Sequence, residues 1–276
     1  MYLFDLGVLP GQSSMTIFHA LARLGIESLV LVSPKTPLVS VGYFQDLGGV
    51  DLDYCQRHGI SVMRRELGGG TTLLDQNQVF YQVVLKKNNP ILPGNIDQLY
   101  RDFSKPVIGA YAALGVKTKF KPVNDIVTLE GRKISGEGGG DIGDCIVFVG
   151  GILMDFDFGL MSRVLKLPDE KFRDKVHKTM EENLTTLKRE LGVAPDRKAV
   201  IRALSVNFEK ALGKLTPAQL PGEVWSLARS LEQQFTSEAF MRKNDRRMGY
   251  SGQNRVKINA EVSLWQGVHK APGGLI

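Results

Sequence analysis

Apolar residues fall in short runs and alternations along the first half of the chain, and at helical spacing along the second. Ile17, Ala20, Leu21 and Leu24 recur with the period of a helix over residues 15–24. Residues 27–33 form a run of leucine, valine and serine closed by Pro34, the pattern of a strand. Residues 39–44, 61–66 and 79–85 predict further strands, and residues 49–58, stopped by Gly59, predict a helix. Residues 96–114 predict a long helix, with Asp97 and Asp102 in its first half and Gly115 just past its end. Residues 117–121, 126–129, 133–136 and 146–154 are four more strands. Beyond Asp155 the period changes: residues 158–164, 169–191, 197–212 and 223–240 predict helices, punctuated by Pro168, Pro195, Pro217 and Pro221. Strands first and helices second is the order of an α+β fold rather than of repeated βαβ units. Residues 241–255 are basic, glycine-bearing and without apolar period, the mark of a linker or mobile loop. Residues 256–264 alternate as one strand.

The composition adds little to this picture except exclusions. With 43% hydrophobic and 23% charged residues the chain is neither disordered nor membrane-like. No apolar run approaches the roughly 18 residues of a membrane span, and the start carries no basic, then apolar, leader. Two cysteines, Cys55 and Cys145, cannot build a disulfide framework, which points to a reduced, cytoplasmic setting. The 35 Lys and Arg against 29 Asp and Glu leave a net charge of +6, too mild to imply a nucleic-acid partner by itself. His19, His58, His177 and His269 share no metal-ligand spacing.

Two stretches carry candidate chemistry. The first runs Arg64-Arg65-Glu66-Leu67-Gly68-Gly69-Gly70-Thr71-Thr72. Three glycines between strands let the backbone approach a ligand and turn N–H groups toward an anion, and the arginines could clamp phosphate or carboxylate oxygens. A flexible hairpin with surface arginines fits the same residues. It is not a Walker A loop, because no Lys-Ser/Thr follows, nor a Rossmann fingerprint, because no helix opens after Gly70. The second stretch is Asn124-Asp125, then Gly131-Arg132-Lys133-Ile134-Ser135-Gly136. A lysine against a glycine-lined floor can place its ammonium on a developing phosphate or carboxylate charge. An ordinary basic hairpin is again the alternative.

Taken together, the arginine–glycine block, the Asn-Asp pair and the GRKISG block resemble the lipoate–protein ligase A family, of the biotin/lipoate ligase and octanoyltransferase superfamily. The likeness runs from about Thr16 to Leu191 and includes the stretch Val41 to Asp46 and the strand Gly150 to Met154. It implies a mixed or antiparallel sheet flanked by helices, with a catalytic domain over residues 1–191. A helical extension and basic linker would span residues 192–254, and a small accessory domain would open over residues 255–276, most of it lying beyond them. It implies ATP and Mg²⁺ as cofactors. Arg65 would contact the nucleotide phosphates, with Gly69, Gly70, Thr71, Thr72 and Leu73 covering nucleotide and acyl-adenylate. Lys133 would bridge the acyl carboxylate and the α-phosphate as the catalytic residue. Asn124 and Asp125 would support the nucleotide, Asp125 with its metal, while Gly70, Lys133, Ser135, Gly136 and Gly151 would line the acyl site. Asp75 would be structural. Leu73, Phe80, Ile152 and Met154 are candidates for the acyl tunnel. The implied partners are lipoate or octanoate and a lipoyl-carrier protein: an E2 lipoyl domain, a glycine-cleavage H protein or an H-like lipoate-binding protein. No membrane or nucleic acid is among them.

The chain departs from the family pattern in two places. Glu137-Gly138-Gly139-Gly140-Asp141 replaces a stretch that more often carries alanine and bulkier residues, and Gly150 stands where better-known ligases carry a histidine. Both bear on acyl selectivity. Rival readings are an octanoyltransferase, which passes the acyl group from a carrier thioester through a cysteine, and a non-enzymatic basic binding protein. Cys145 is the cysteine nearer Lys133 but opens an apolar strand, the setting of an inert thiol. A biotin ligase is disfavoured, since no tryptophan closes the arginine–glycine loop.

Overall fold

The structure is a computed structural model that describes residues 1–245, 254–259 and 261–266. Its centre is a six-stranded mixed sheet. Strand β1 (Tyr2–Leu9), which the sequence reading missed, is followed by helix α1 (Gly11–Arg23) and β2 (Ser28–Pro34), parallel to β1. Two small elements come next, β3 (Leu38–Val41) and α2 (Leu52–Arg57), then β4 (Ser61–Arg64) and β5 (Thr72–Leu74). These three strands form a separate sheet in the order β4-β3-β5. Strand β6 (Gln78–Lys86) returns to the main sheet antiparallel to β2. It is buried from Gln78 to Leu85, as a central strand covered on both faces must be.

Helix α3 (Ile96–Ala113) starts where the Asn95 side chain accepts from Gln98 N at 2.8 Å, and it runs through Pro106. A second three-stranded sheet follows, β7 (Thr118–Lys121), β8 (Asp125–Thr128) and β9 (Lys133–Gly136). Strands β10 (Gly138–Ile142) and β11 (Cys145–Leu153) join the main sheet, whose order is β10-β11-β6-β2-β1-β12, with β12 at Thr216–Pro217. The expected helix over residues 169–191 is two helices. After α4 (Phe158–Val164) come α5 (Glu170–Asn183) and α6 (Leu187–Leu191), parted at Leu184, whose backbone is extended. Helix α7 (Arg197–Leu212), the short β12 (Thr216–Pro217), α8 (Gly222–Thr236) and α9 (Glu238–Met241) follow.

Helices cover both faces of the sheet. Side chains of α3 and α7 pack with Leu29, Leu31, Tyr81, Val83 and Phe148 on one face. Those of α1 and α8 pack with Phe4, Val30, Val32, Phe80 and Val84 on the other. A third cluster joins β3, α2, α4 and α5 to the hairpin β13 (Asn254–Lys257) and β14 (Ser263–Gln266). The single strand expected over residues 256–264 is thus a hairpin. Asn259 reverses the chain by accepting from Glu261 N and Val262 N at 2.9 and 2.7 Å. The basic stretch from 241 is docked at its start: Asp245 accepts from Leu47 N, and Asn244 is 1% exposed. Residues 246–253 and 267–276, where most of the remaining expected linker and the later part of the expected accessory-domain opening would fall, lie outside the described residues. Among the described residues, no helix is long and apolar enough to cross a membrane.

Candidate active site

The two arginines of the glycine block have different fates. Arg64 is fully buried, and its guanidinium donates to the backbone oxygens of Met241, Gly42, Tyr43 and Gln45 and to Asp245. It ties the end of α9 to the segment after β3 and does not line the cavity, so it is not placed as half of the clamp that the two arginines could have formed. Arg65 points the other way. It donates to Ser40 O at 2.9 Å, to Gly68 O at 2.8 Å and to Gly70 O at 2.7 Å. Its guanidinium therefore holds the glycine loop in shape. Burial lowers its pKa to about 10, far too high for charge loss near neutrality.

The loop is packed so closely that side chains are excluded. A Cβ at Gly42 would lie 2.0 Å from Gly69 O, and one at Gly69, whose φ is +92°, would lie 2.9 Å from the Arg65 guanidinium. Lys133, on β9, pairs with Asp125 Oδ1 at 2.7 Å. A Cβ at Gly136 would lie 2.7 Å from Lys133 Nζ, so that glycine is the floor on which the ammonium rests.

Both blocks face one cavity of about 260 Å³. Arg65, Gly69, Gly70, Thr71, Thr72 and Leu73 line it from the glycine loop and β5. Asn124, Lys133, Gly136 and Gly151 line it from the opposite side. Asp125 and Ser135 do not reach the wall. Asp125 is 2% exposed and lies behind Lys133, and the Ser135 hydroxyl contacts Glu137 Oε1 at 2.8 Å and Gly151 O at 3.0 Å. Of the tunnel candidates, Leu73 and Phe80 line the cavity, whereas Ile152 and Met154 belong to the core against α3 and α7. Asp75 holds a turn, accepting from Asn77 N at 2.9 Å. Among the described residues no three His, Cys, Asp or Glu side chains are grouped as metal ligands, and Asp125, the residue expected beside a metal, faces Lys133.

Glu137 is the residue that sequence reasoning missed. It lines the cavity, is 4% exposed and accepts from Tyr81 Oη at 2.5 Å as well as from Ser135. Burial raises its pKa to about 7 against the pull of those hydrogen bonds and of Lys133. The same surroundings push the Tyr81 phenol well above its ordinary range, first by burial and then by the neighbouring carboxylate. A Cβ at Gly150 would lie 1.9 Å from Glu137 Oε2 and 2.3 Å from the Tyr81 hydroxyl. The Glu137 carboxyl thus fills the space that a side chain at 150 would need. The only sequence signal was that both departures from the family pattern occur together. Neither Cys55 nor Cys145 lines the cavity; both are buried, and burial raises both thiol pKa values.

A sequence profile of the lipoyl protein ligase A/B catalytic domain matches residues 14–209. The chain belongs to this family. The octanoyltransferase LipM of Kyrpidia tusciae is 28% identical over 225 residues, spanning 73% of this chain and 82% of that protein. The lipoate-protein ligase A subunit 1 of Thermoplasma acidophilum is 30% identical over 213 residues, 71% and 80% of the two chains. The bipartite lipoate protein ligase of Thermoplasma acidophilum, solved in a study of that ligase and its E2 lipoyl domain, superposes with a TM-score of 0.78. It is 27% identical, covering 88% of this chain and 96% of that one. The mixed sheet flanked by helices is therefore the lipoate-protein ligase fold, and the chain is an enzyme of the ligase and octanoyltransferase family. Its relatives carry both activities.

Proposed function

We propose that the chain joins lipoate or octanoate to a lysine of a lipoyl-carrier protein in two steps that consume ATP. First the acid's carboxylate attacks the α-phosphorus of ATP, forming acyl-AMP and releasing pyrophosphate. Then the carrier's lysine amine attacks the acyl carbon, giving an amide, AMP and a proton. The observation that carries this reading is Lys133, seated on Gly136, held by Asp125 and facing the glycine loop across the cavity. Two anions must meet in the first step, and a fixed ammonium between them lowers that barrier by electrostatic preorganisation. Arg65 adds positive charge from behind the loop while its hydrogen bonds keep the loop's shape. Magnesium would arrive with the nucleotide phosphates, and no step is assigned to it. The carrier would be an E2 lipoyl domain, as studied with the Thermoplasma ligase, a glycine-cleavage H protein or an H-like lipoate-binding protein. Two buried free thiols are consistent with the cytoplasm as its setting.

The relatives named octanoyltransferase favour a second reading, transfer from a carrier thioester. That route passes through a cysteine, and both of this chain's cysteines lie away from the cavity, which supports the ATP route instead. Acid-dependent pyrophosphate release from ATP and Mg²⁺ decides between them. We expect release with lipoate or octanoate, and a loss of a hundredfold or more, on the order of an oxyanion-type contact, in Lys133→Ala. No release with either acid, together with transfer from an octanoyl-carrier thioester, would replace the ligase by the transferase.

A further inference from the structure

The wall of the cavity between α1 and the main sheet carries Met15, Phe18, Phe80 and Val149, and β6 adds two amides, Gln78, which donates to Leu73 O, and Gln82. Gln82 lies on β6, paired with Val149 of β11, and is 2% exposed. Its Nε2 donates to Ser14 O on α1 at 2.7 Å. That bond settles the orientation of the amide, because the flipped form would set two oxygens against each other. Oε1 is then the group left over, and it has no hydrogen-bond partner. A buried acceptor without a donor is costly, and an apolar ligand packed against it makes the loss permanent.

We propose that Gln82 is a specificity residue, accepting a hydrogen bond from a donor on the tail of the acyl chain. The inference rests on the proposed acid-activating function and on the acyl tail entering between α1 and β6. Both ends of the cavity are apolar: Met15, Phe18 and Phe80 line this one, and Met161, Leu165 and Met180 line the other, where the hairpin also brings the exposed Lys257. Octanoate ends in a methyl group and oxidised lipoate in a dithiolane, and neither has a donor to offer. A tail bearing a hydroxyl, or the thiols of the reduced dithiol, does. The cavity should therefore rank acids by tail donor rather than by tail hydrophobicity, which would favour octanoate.

The test measures binding of octanoate, 8-hydroxyoctanoate, lipoate and, with reductant present, dihydrolipoate by calorimetry, in the unchanged protein and in Gln82→Met. We expect dihydrolipoate or 8-hydroxyoctanoate to bind about tenfold more tightly than octanoate in the unchanged protein, the scale of one buried hydrogen bond. Gln82→Met should reverse that order, octanoate gaining and the donor-bearing acids losing. Octanoate binding as tightly as the donor-bearing acids to the unchanged protein would overturn the assignment without any variant. So would a Gln82→Met variant that shifts all four acids alike. Failure of every acid to bind would remove the acid-activating function and this inference with it, a result distinct from binding without discrimination.

Discussion

At the scale of single residues, two buried titratable groups pull the protein's response to acid in opposite directions. Glu137 holds its proton up to about pH 7 in the folded chain, against an ordinary value of 4.5, because burial outweighs its hydrogen bonds and Lys133. Between those values the folded state binds the extra proton, so stability falls as pH rises through that window. His19 runs the opposite way. Burial lowers its pKa from 6.5 to about 3, against the hydrogen bond to Met15 O and helped by Arg23 and Arg65. There the unfolded chain binds the extra proton, so stability falls as pH drops below 6.5. The two slopes oppose each other between pH 4.5 and 6.5. Glu137→Gln should uncover His19, and urea denaturation should show stability rising by about 1.4 kcal/mol per pH unit across that range. A variant profile as flat as that of the unchanged protein would refute the assignment. Nearby glycines made both blocks candidates, and the family resemblance singled out Lys133 and Arg65 within them. The sequence hid Glu137 and Gln82, whose importance lies in burial and in partners 56 and 68 positions distant.

At the scale of elements, most strands and long helices were legible, because side-chain periodicity and caps are local. The errors have local causes too. The apolar stretch at the start lacks alternation, since β1 carries a register shift between Asp5 and Gly7. The helical period continues across residues 169–191, yet Thr185 N donates to Lys133 O and breaks the helix to do so. That contact lies beside the catalytic candidate and could not be seen from spacing. Gly42, after β3, packs directly on the glycine loop. Gly42→Ala sets a Cβ against the backbone oxygen of Gly69, which cannot rotate away as a side chain would. We expect a loss of about 1–3 kcal/mol, the range of overpacking, by chemical denaturation. A fall in nucleotide-dependent activity should accompany it, because Arg65 must give up its loop contacts. An unchanged melting profile with full activity would show that the loop adjusts freely.

At the scale of the molecule, the cavity is assembled from α1, three separate sheets, α4, α5 and the C-terminal hairpin. Helix α8, far along the chain, buries Val224, Ala228, Leu231 and Phe235 against α1, the helix that also carries Met15 and Phe18. Phe235 is fully buried beside His19 and Phe240. Truncating it to Ala should cost about 3–5 kcal/mol and loosen acid binding through α1. A calorimetric melt and an acid titration on the same variant check both, and a stable variant with normal acid affinity would separate α8 from the site.

Most of the strands and long helices, the α+β class, and the two blocks that carry the site residues were legible in the sequence alone. Hydrophobic period and glycine placement act within a few residues, and both motifs need only their own neighbours. Tertiary structure decided that Arg64 turns away to hold Met241 and the segment after β3, and that Asp125 stands behind Lys133 rather than open to a ligand. It also decided that a carboxyl from Glu137 occupies the space denied to a side chain at Gly150. Each depends on what fills a volume in three dimensions, and no period along the chain encodes that.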